Sequence, residues 1–208
     1  MNALTYMTSY ADQLIEATAE HFTLLAVTMA ISCVVAALIT LVCLRHPRVG
    51  DAVVEVLGAA YAIPSLALFA LLIPVTGLGF TSAVIVMVAY NQFMLVRNAL
   101  EGMRGVDASV IEAARGMGFS NSQVLLKVQL PLALPAIIAG VRLACISTTG
   151  IATIAATINA GGLGMVLLSG LRSMNIEKIV AGTICCAALA LSLDALCRVL
   201  EKLASPAR

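Results

Sequence analysis

Hydrophobic residues run through this chain in long blocks, separated by short charged clusters. Residues 22–44 contain no Asp, Glu, Lys or Arg. At about 1.5 Å per residue, a helix of that length crosses a hydrocarbon core about 30 Å thick. The cluster Arg45-His46-Pro47-Arg48 closes the block. Residues 56–96 are again free of those four residue types. As a single helix they would be roughly twice as long as a bilayer is thick, so two spans are expected there. Pro74, Gly77 and Gly79 mark the turn between them, which gives spans near 54–73 and 80–97. Pro64 falls inside the earlier span and is expected to kink it.

A charged stretch from Arg97 to Lys127 follows. A fourth span is expected near 132–157, with a more polar later half at Thr148, Thr149, Gly150 and Thr153. Residues 163–171 are apolar but too short to cross, which predicts an interfacial or re-entrant segment. A fifth span is expected near 179–197. The pattern predicts an all-α integral membrane fold with about five transmembrane helices. Residues 1–21 read as a solvated flank, in which Asp12, Glu16 and Glu20 recur at helical spacing as an acidic face. Residues 201–208 read as a tail.

Charge sets the expected orientation. Arg45, Arg48, Arg97, Arg104, Arg115, Lys127, Arg198, Lys202 and Arg208 fall on one side of these spans, and only Arg172 and Lys178 on the other. The positive-inside rule then puts the N-terminus outside and the C-terminus inside. A six-span alternative, in which residues 160–174 cross fully, would move the C-terminal basic residues outside. Arg142 lies within the fourth span, as a pathway or interface charge, a snorkelling residue or a partner for a neighbouring helix. Asp194 and Arg198 are spaced to pair along the fifth span.

Composition agrees. The chain of 208 residues is 61% hydrophobic and 11% charged, against about 25% charged in a soluble domain. A net charge of +1 gives no nucleic-acid footprint. Six cysteines sit in apolar runs without a CxxC pair and read as small buried hydrophobes. No cleavable signal peptide is expected, because residues 1–21 carry acids and no Lys or Arg. His21 and His46 flank the first span and read as interfacial residues. The run Asn159-Ala160-Gly161-Gly162-Leu163-Gly164 lacks the Lys-Ser/Thr of a phosphate loop and follows no strand, so nucleotide binding is excluded there. Polar residues inside spans are few, which draws notice to Tyr61, Ser65, Tyr90, Asn91, Gln92, Ser147, Thr148, Thr149, Thr153 and Asn159. They either line a solvated path or hydrogen-bond helix to helix; Tyr61, Ser65, Tyr90, Asn91, Thr149, Thr153 and Asn159 are the path candidates.

The longest polar interruption is 112–131, EAARGMGFSNSQVLLKVQLP. Ser109 stands three residues before Glu112 as in a capping box. Val110, Ile111, Ala114 and Met117 form a stripe at helical spacing, and Gly118 is placed to stop the helix. A helix of about two to three turns is expected.

This stretch resembles the EAA loop of ABC-importer permeases, EAA-x3-G-x9-I-x-LP. Glu112, Ala113, Ala114, Gly118, Leu130 and Pro131 fit the spacing, and Val128 stands in place of Ile. The resemblance implies a short cytoplasmic coupling helix docking on a separate ATPase, with Glu112, Ala113, Ala114, Arg115, Gly116, Gly118 and Pro131 as its contacts. Further stretches resemble the branch that serves glycine betaine, carnitine and choline: residues 62–68 (AIPSLAL), 72–74 (LIP), 113–118 (AARGMG), 130–135 (LPLALP) and 161–164 (GGLG). The segment Tyr90-Asn91-Gln92-Phe93 is more polar than that branch leads one to expect. Methionine-importer permeases share the five-span plan and a similar GGLG segment.

The resemblance implies a multi-pass permease domain over residues 22–200 in the cytoplasmic (inner) membrane of a bacterium or archaeon. Implied partners are a pair of ABC ATPases carrying ATP and Mg, a second permease subunit (identical or homologous) and an extracytoplasmic substrate-binding protein. No cofactor and no enzymatic activity are expected of this chain, which has no Walker motif. Having no Trp and 4% aromatic residues, it is poorly supplied for an aromatic cage around a quaternary ammonium. Two other readings stand beside this one: the same importer class serving methionine or another small solute, and a non-transport membrane scaffold or channel. A channel would show charged rings or a filter sequence, and none is evident.

Overall fold

The computed structural model describes residues 2–204. Among these residues there is helix and no strand, as backbone groups in hydrocarbon require. The order is α1 (Ala3–Ser9), α2 (Ala11–Arg45), α3 (Pro47–Tyr61), α4 (Ser65–Thr76), α5 (Phe80–Arg104), α6 (Ala108–Gly116), α7 (Asn121–Val124), a π turn (Leu125–Gln129), α8 (Leu130–Ile154), a 3-10 turn (Ala155–Ile158), α9 (Leu163–Arg172) and α10 (Ile176–Ala204). Four stretches are long and apolar enough to cross a membrane: α2, α5, α7 through the 3-10 turn, and α10. The bent pair α3 and α4 brings the number to five if it is counted as one span.

The first span differs from its expected limits. Helix α2 runs for 35 residues and includes residues 11–21. Nothing in that stretch breaks a helix, and Leu14 and His21 continue the stripe of Leu24, Leu25, Thr28, Ser32, Ala36, Thr40 and Cys43 that faces the bundle. Asp12, Glu16 and Glu20 are exposed. His21 is accordingly fully buried rather than interfacial.

The bend at Pro64 is sharper than a kink. Helices α3 and α4 meet at 93°. The ring of Pro64 disfavours helical backbone at Ile63, and Pro64 itself is extended with ψ 130. The Tyr90 hydroxyl donates to the Ile63 carbonyl, which satisfies a group freed by the break. The following turn comes at Gly77 and Gly79, both with positive φ, and Pro74 stays inside α4.

The core sits where α2, α5 and α8 cross. Leu24, Leu25, Phe69, Val86 and Met87 with Ala152 and Ala155 fill one end. Ala36, Cys43, Leu95, Val96, Leu100 and Ala144 fill the other. Small residues let α5 and α8 approach closely. A Cβ on Gly102 would lie 2.7 Å from the Ala136 Cβ, and one on Gly140 would lie 2.7 Å from the Asn98 Cβ. Such contacts replace the hydrophobic drive that lipid cannot give. Helix α10 packs on α8, α9 and α1. The six cysteines are free thiols; Cys43, Cys145 and Cys197 are buried, Cys185 and Cys186 half-buried, and Cys33 exposed.

Candidate functional site

The loop from α5 to α8 builds a projecting surface out of capping interactions. Asp107, rather than Ser109, caps α6: its carboxylate accepts the Ser109 N–H at 2.8 Å. That bond holds the Asp107 carboxyl below the usual carboxylate range. At the other end the Phe119 N–H donates to the Ala114 carbonyl and the Gly118 N–H to Arg115. Together with φ +87 at Gly118, this is a Schellman motif, so Gly118 ends the helix as its position predicts. Ser120 and Gln123 then cap α7 reciprocally; the capping box of this region lies here.

Of the residues singled out in this loop, only Ala114 is buried, at 2%. Glu112, Ala113, Arg115, Gly116, Gly118 and Pro131 are exposed. Val110 and Met117 also point outward, Met117 at 70%. One alanine anchors the helix while Val110, Glu112 and Met117 are exposed.

The π turn connects this surface to the membrane. The Leu130 N–H donates to the Leu125 carbonyl, five residues back. Pro131 has no N–H, and in a regular α-turn its ring would clash with the carbonyl four residues earlier; a widened turn just before it relieves that clash.

Inside the bundle the polar residues form separate groups. Asn91, 1% exposed, joins three helices: it donates to the Ser32 hydroxyl of α2 at 3.2 Å and accepts from Thr148 of α8 at 2.8 Å. Gln92 donates to the Val88 carbonyl at 2.9 Å. A second group surrounds the bend. The half-buried ring of Tyr61 meets those of Tyr90 and Phe93, each at 5.4 Å between centroids, and its hydroxyl lies 3.3 Å from that of Ser147. Ser65 opens α4 and is half-buried. Thr149 and Thr153 donate to carbonyls of their own helix, Cys145 and Gly150. Asn159 is exposed in a left-handed turn, φ 62 and ψ 39. The structure therefore brings Tyr61 and Tyr90 together, ties Asn91 into the core, and leaves Thr149 and Thr153 in the last turns of α8 and Asn159 beyond them.

Two polar groups were not singled out as sites from sequence. Glu20 accepts the Gly162 N–H at 2.8 Å, latching α2 to the start of α9. Beside it both ring nitrogens of His21 are buried without a hydrogen bond of full geometry, the Thr149 backbone being the polar group that bears on them. The second is an ion-pair network. Arg142 of α8 lies 2.9 Å from Glu201 and 3.6 Å from Asp194 of α10, and Asp194 also pairs with Arg198 at 2.7 Å. Of the alternatives for Arg142, helix pairing is the one formed.

A membrane bundle with a bent span and a projecting cap on the α5–α8 loop is the architecture of a transporter's membrane subunit. The chain matches the family described as binding-protein-dependent transport system inner membrane component over residues 32–205, and it belongs to that family. It is 32% identical to the osmoprotectant import permease protein OsmW of Salmonella typhimurium, over 99% of this chain and 98% of that protein. It is 37% identical to the carnitine transport permease protein OpuCB of Listeria monocytogenes, over 72% of this chain and 69% of the relative. Its fold is similar to that of a solved chain of the MetNI methionine ABC transporter in an inward-facing conformation, with TM-score 0.83, 18% identity, and coverage of 95% of this chain and 99% of that one.

Proposed function

We propose that this permease subunit forms the translocation path of an ATP-driven importer for a small quaternary-amine osmoprotectant, glycine betaine, choline or carnitine. The observation that carries the substrate reading is the near full-length similarity to an osmoprotectant import permease. The surface of α6 supports the coupling: it is a capped helix that packs on α7 and the π turn, which run directly into α8.

In this reading two permease subunits face each other, identical or homologous, and an ATPase carrying ATP and Mg docks on each α6. Closure of the ATPases moves α6 and rocks the spans between inward-open and outward-open states. The cap and the C-terminus lie inside and the N-terminus outside, following the bias of Lys and Arg. An extracytoplasmic binding protein selects the substrate. The aromatic rings of the bundle favour that division of labour, since the face of Phe93 is already taken by Arg97, 5.7 Å from its centroid. Tyr61, Ser65, Thr153 and Asn159 are the path candidates that retain exposed or half-buried surface, while Tyr90 and Thr149 are buried. Asn91, fully engaged, acts as a structural joint.

The test is the ATPase rate of the reconstituted permease–ATPase complex, with binding protein loaded in turn with glycine betaine, choline, carnitine and methionine. Stimulation by a quaternary amine is expected. Stimulation by methionine alone would assign the subunit to a methionine importer, the reading to which its fold likeness also lends itself.

A further inference from the structure

We infer that a cleft between the end of α2 and the α6–α7 cap holds the headgroup of an anionic phospholipid. The cleft has a volume of about 460 Å³, within the range of small-molecule sites. One wall is apolar, formed by Leu41 and Leu44 from the last turns of α2. Arg45 closes the α2 wall, and the facing wall is formed by Arg115, Asn121, Ser122, Val124, Leu125 and Gln129. No acidic residue lines it.

Arg45, Arg115 and Arg48 are the arginines around the cap without an ion pair among the described residues, and Arg48 faces another cavity. Arg97 pairs with Glu101 and Arg104 with Asp51, while Arg142 and Arg198 pair with acids of α10. Neither Arg45 nor Arg115 is in an ion pair among the described residues, and both face the same cleft. A guanidinium fork binds phosphate oxygens in a bidentate way, so two of them around one cavity specify a phosphate-like anion.

Position selects the source of that anion. The charge-free run of α2 ends at Leu44, and Arg45 follows at once. The cleft therefore straddles the boundary between hydrocarbon and water. Inorganic phosphate would satisfy the arginines and leave the leucine wall wet. A phospholipid places its phosphodiester on the arginines and the start of its acyl chain on the leucines. Basic pockets at the edge of membrane helices bind anionic headgroups in this manner. A lipid seated here touches α2 on one side and α6, α7 and the π turn on the other, so it braces the cap against the first span. This inference is independent of the transported solute.

The experiment is native mass spectrometry of the full chain, exchanged from detergent against phosphatidylglycerol or phosphatidylcholine. The expected result is retained phosphatidylglycerol adducts that weaken about fivefold in Arg45→Gln, the worth of one cation near an anionic headgroup. The same change at Arg48, which faces a different cavity, leaves them in place. Arg45 is exposed, so its substitution leaves the core untouched. Equal retention in wild type and Arg45→Gln overturns the assignment. Inorganic phosphate bound through Arg45, with no phosphatidylglycerol retained, overturns the lipid as occupant and leaves a free-anion site. Equal retention of phosphatidylcholine overturns the need for net negative charge.

Discussion

Asn91 shows how much one side chain decides in a membrane bundle. Its amide joins α2, α5 and α8 where no water can replace it. Asn91→Ala is expected to cost about 1–3 kcal/mol by stranding Thr148 and Ser32, read as a lower melting temperature in detergent. Transport per folded molecule should stay near wild type, and a specific loss of uptake at unchanged stability would put Asn91 back on the path. Arg142 and Arg198 form a second comparison. Their side chains are 27% and 64% exposed. Arg142→Ala removes the charge held between Asp194 and Glu201 and is expected to destabilise by about 2 kcal/mol or more. Arg198→Ala is expected to stay within about 0.5 kcal/mol. Equal effects from chemical denaturation would mean that burial does not govern this network.

At the scale of elements, the cap is the part most open to test. Gly118 sits at φ +87, where a β-branched residue is strained. Gly118→Val is expected to cost about 1–2 kcal/mol locally and to uncouple uptake from ATP hydrolysis while the protein still inserts. Asp107 sets the pH response of α6. Its carboxyl is held below the usual range by the Ser109 N–H, so its contribution is complete above the ordinary carboxylate value, about 3.9. It disappears as pH falls through the lower folded value. Hydrogen exchange at the Ser109 amide, corrected for intrinsic rates, should be flat near neutrality and accelerate only in acid, and Asp107→Asn should abolish that acceleration. This helix was legible because its signals are local: an apolar stripe, a glycine stop and fixed spacing. The assignment of its cap to Ser109 misled because Ser109 and Asp107 both offer a side-chain oxygen near the helix start, and the two-residue difference is decided by where the chain leaves α5. The π turn had no signal beyond Pro131, whose effect on the turn before it depends on how the cap packs.

Across the whole molecule, the hydrophobic blocks gave the order of the spans because an apolar run long enough to cross lipid is a local signal. Partners between distant segments left weaker traces. Glu20 and His21 precede the first apolar block and look like a flank, yet Glu20 reaches Gly162, far along the chain. That latch is testable. Gly162 has φ +74, and an added Cβ would lie 3.0 Å from His21 Cα. Gly162→Ala is expected to cost about 1–3 kcal/mol and to loosen α9 from α2, seen as faster labelling of a cysteine placed at Thr18. The π turn has a consequence of its own for the assembled molecule. It holds one residue more than the α-turn it replaces, so deleting a residue from Leu125–Gln129 would force an ordinary α-turn there, against the ring of Pro131. That edit would rotate α6 and α7 about the axis of α8 by about 100° and draw them in by about 1.5 Å, leaving their own hydrogen bonds intact. The chain thus carries a vernier between its membrane half and its docking half: a change of length at this one point re-aims the cap without altering its composition.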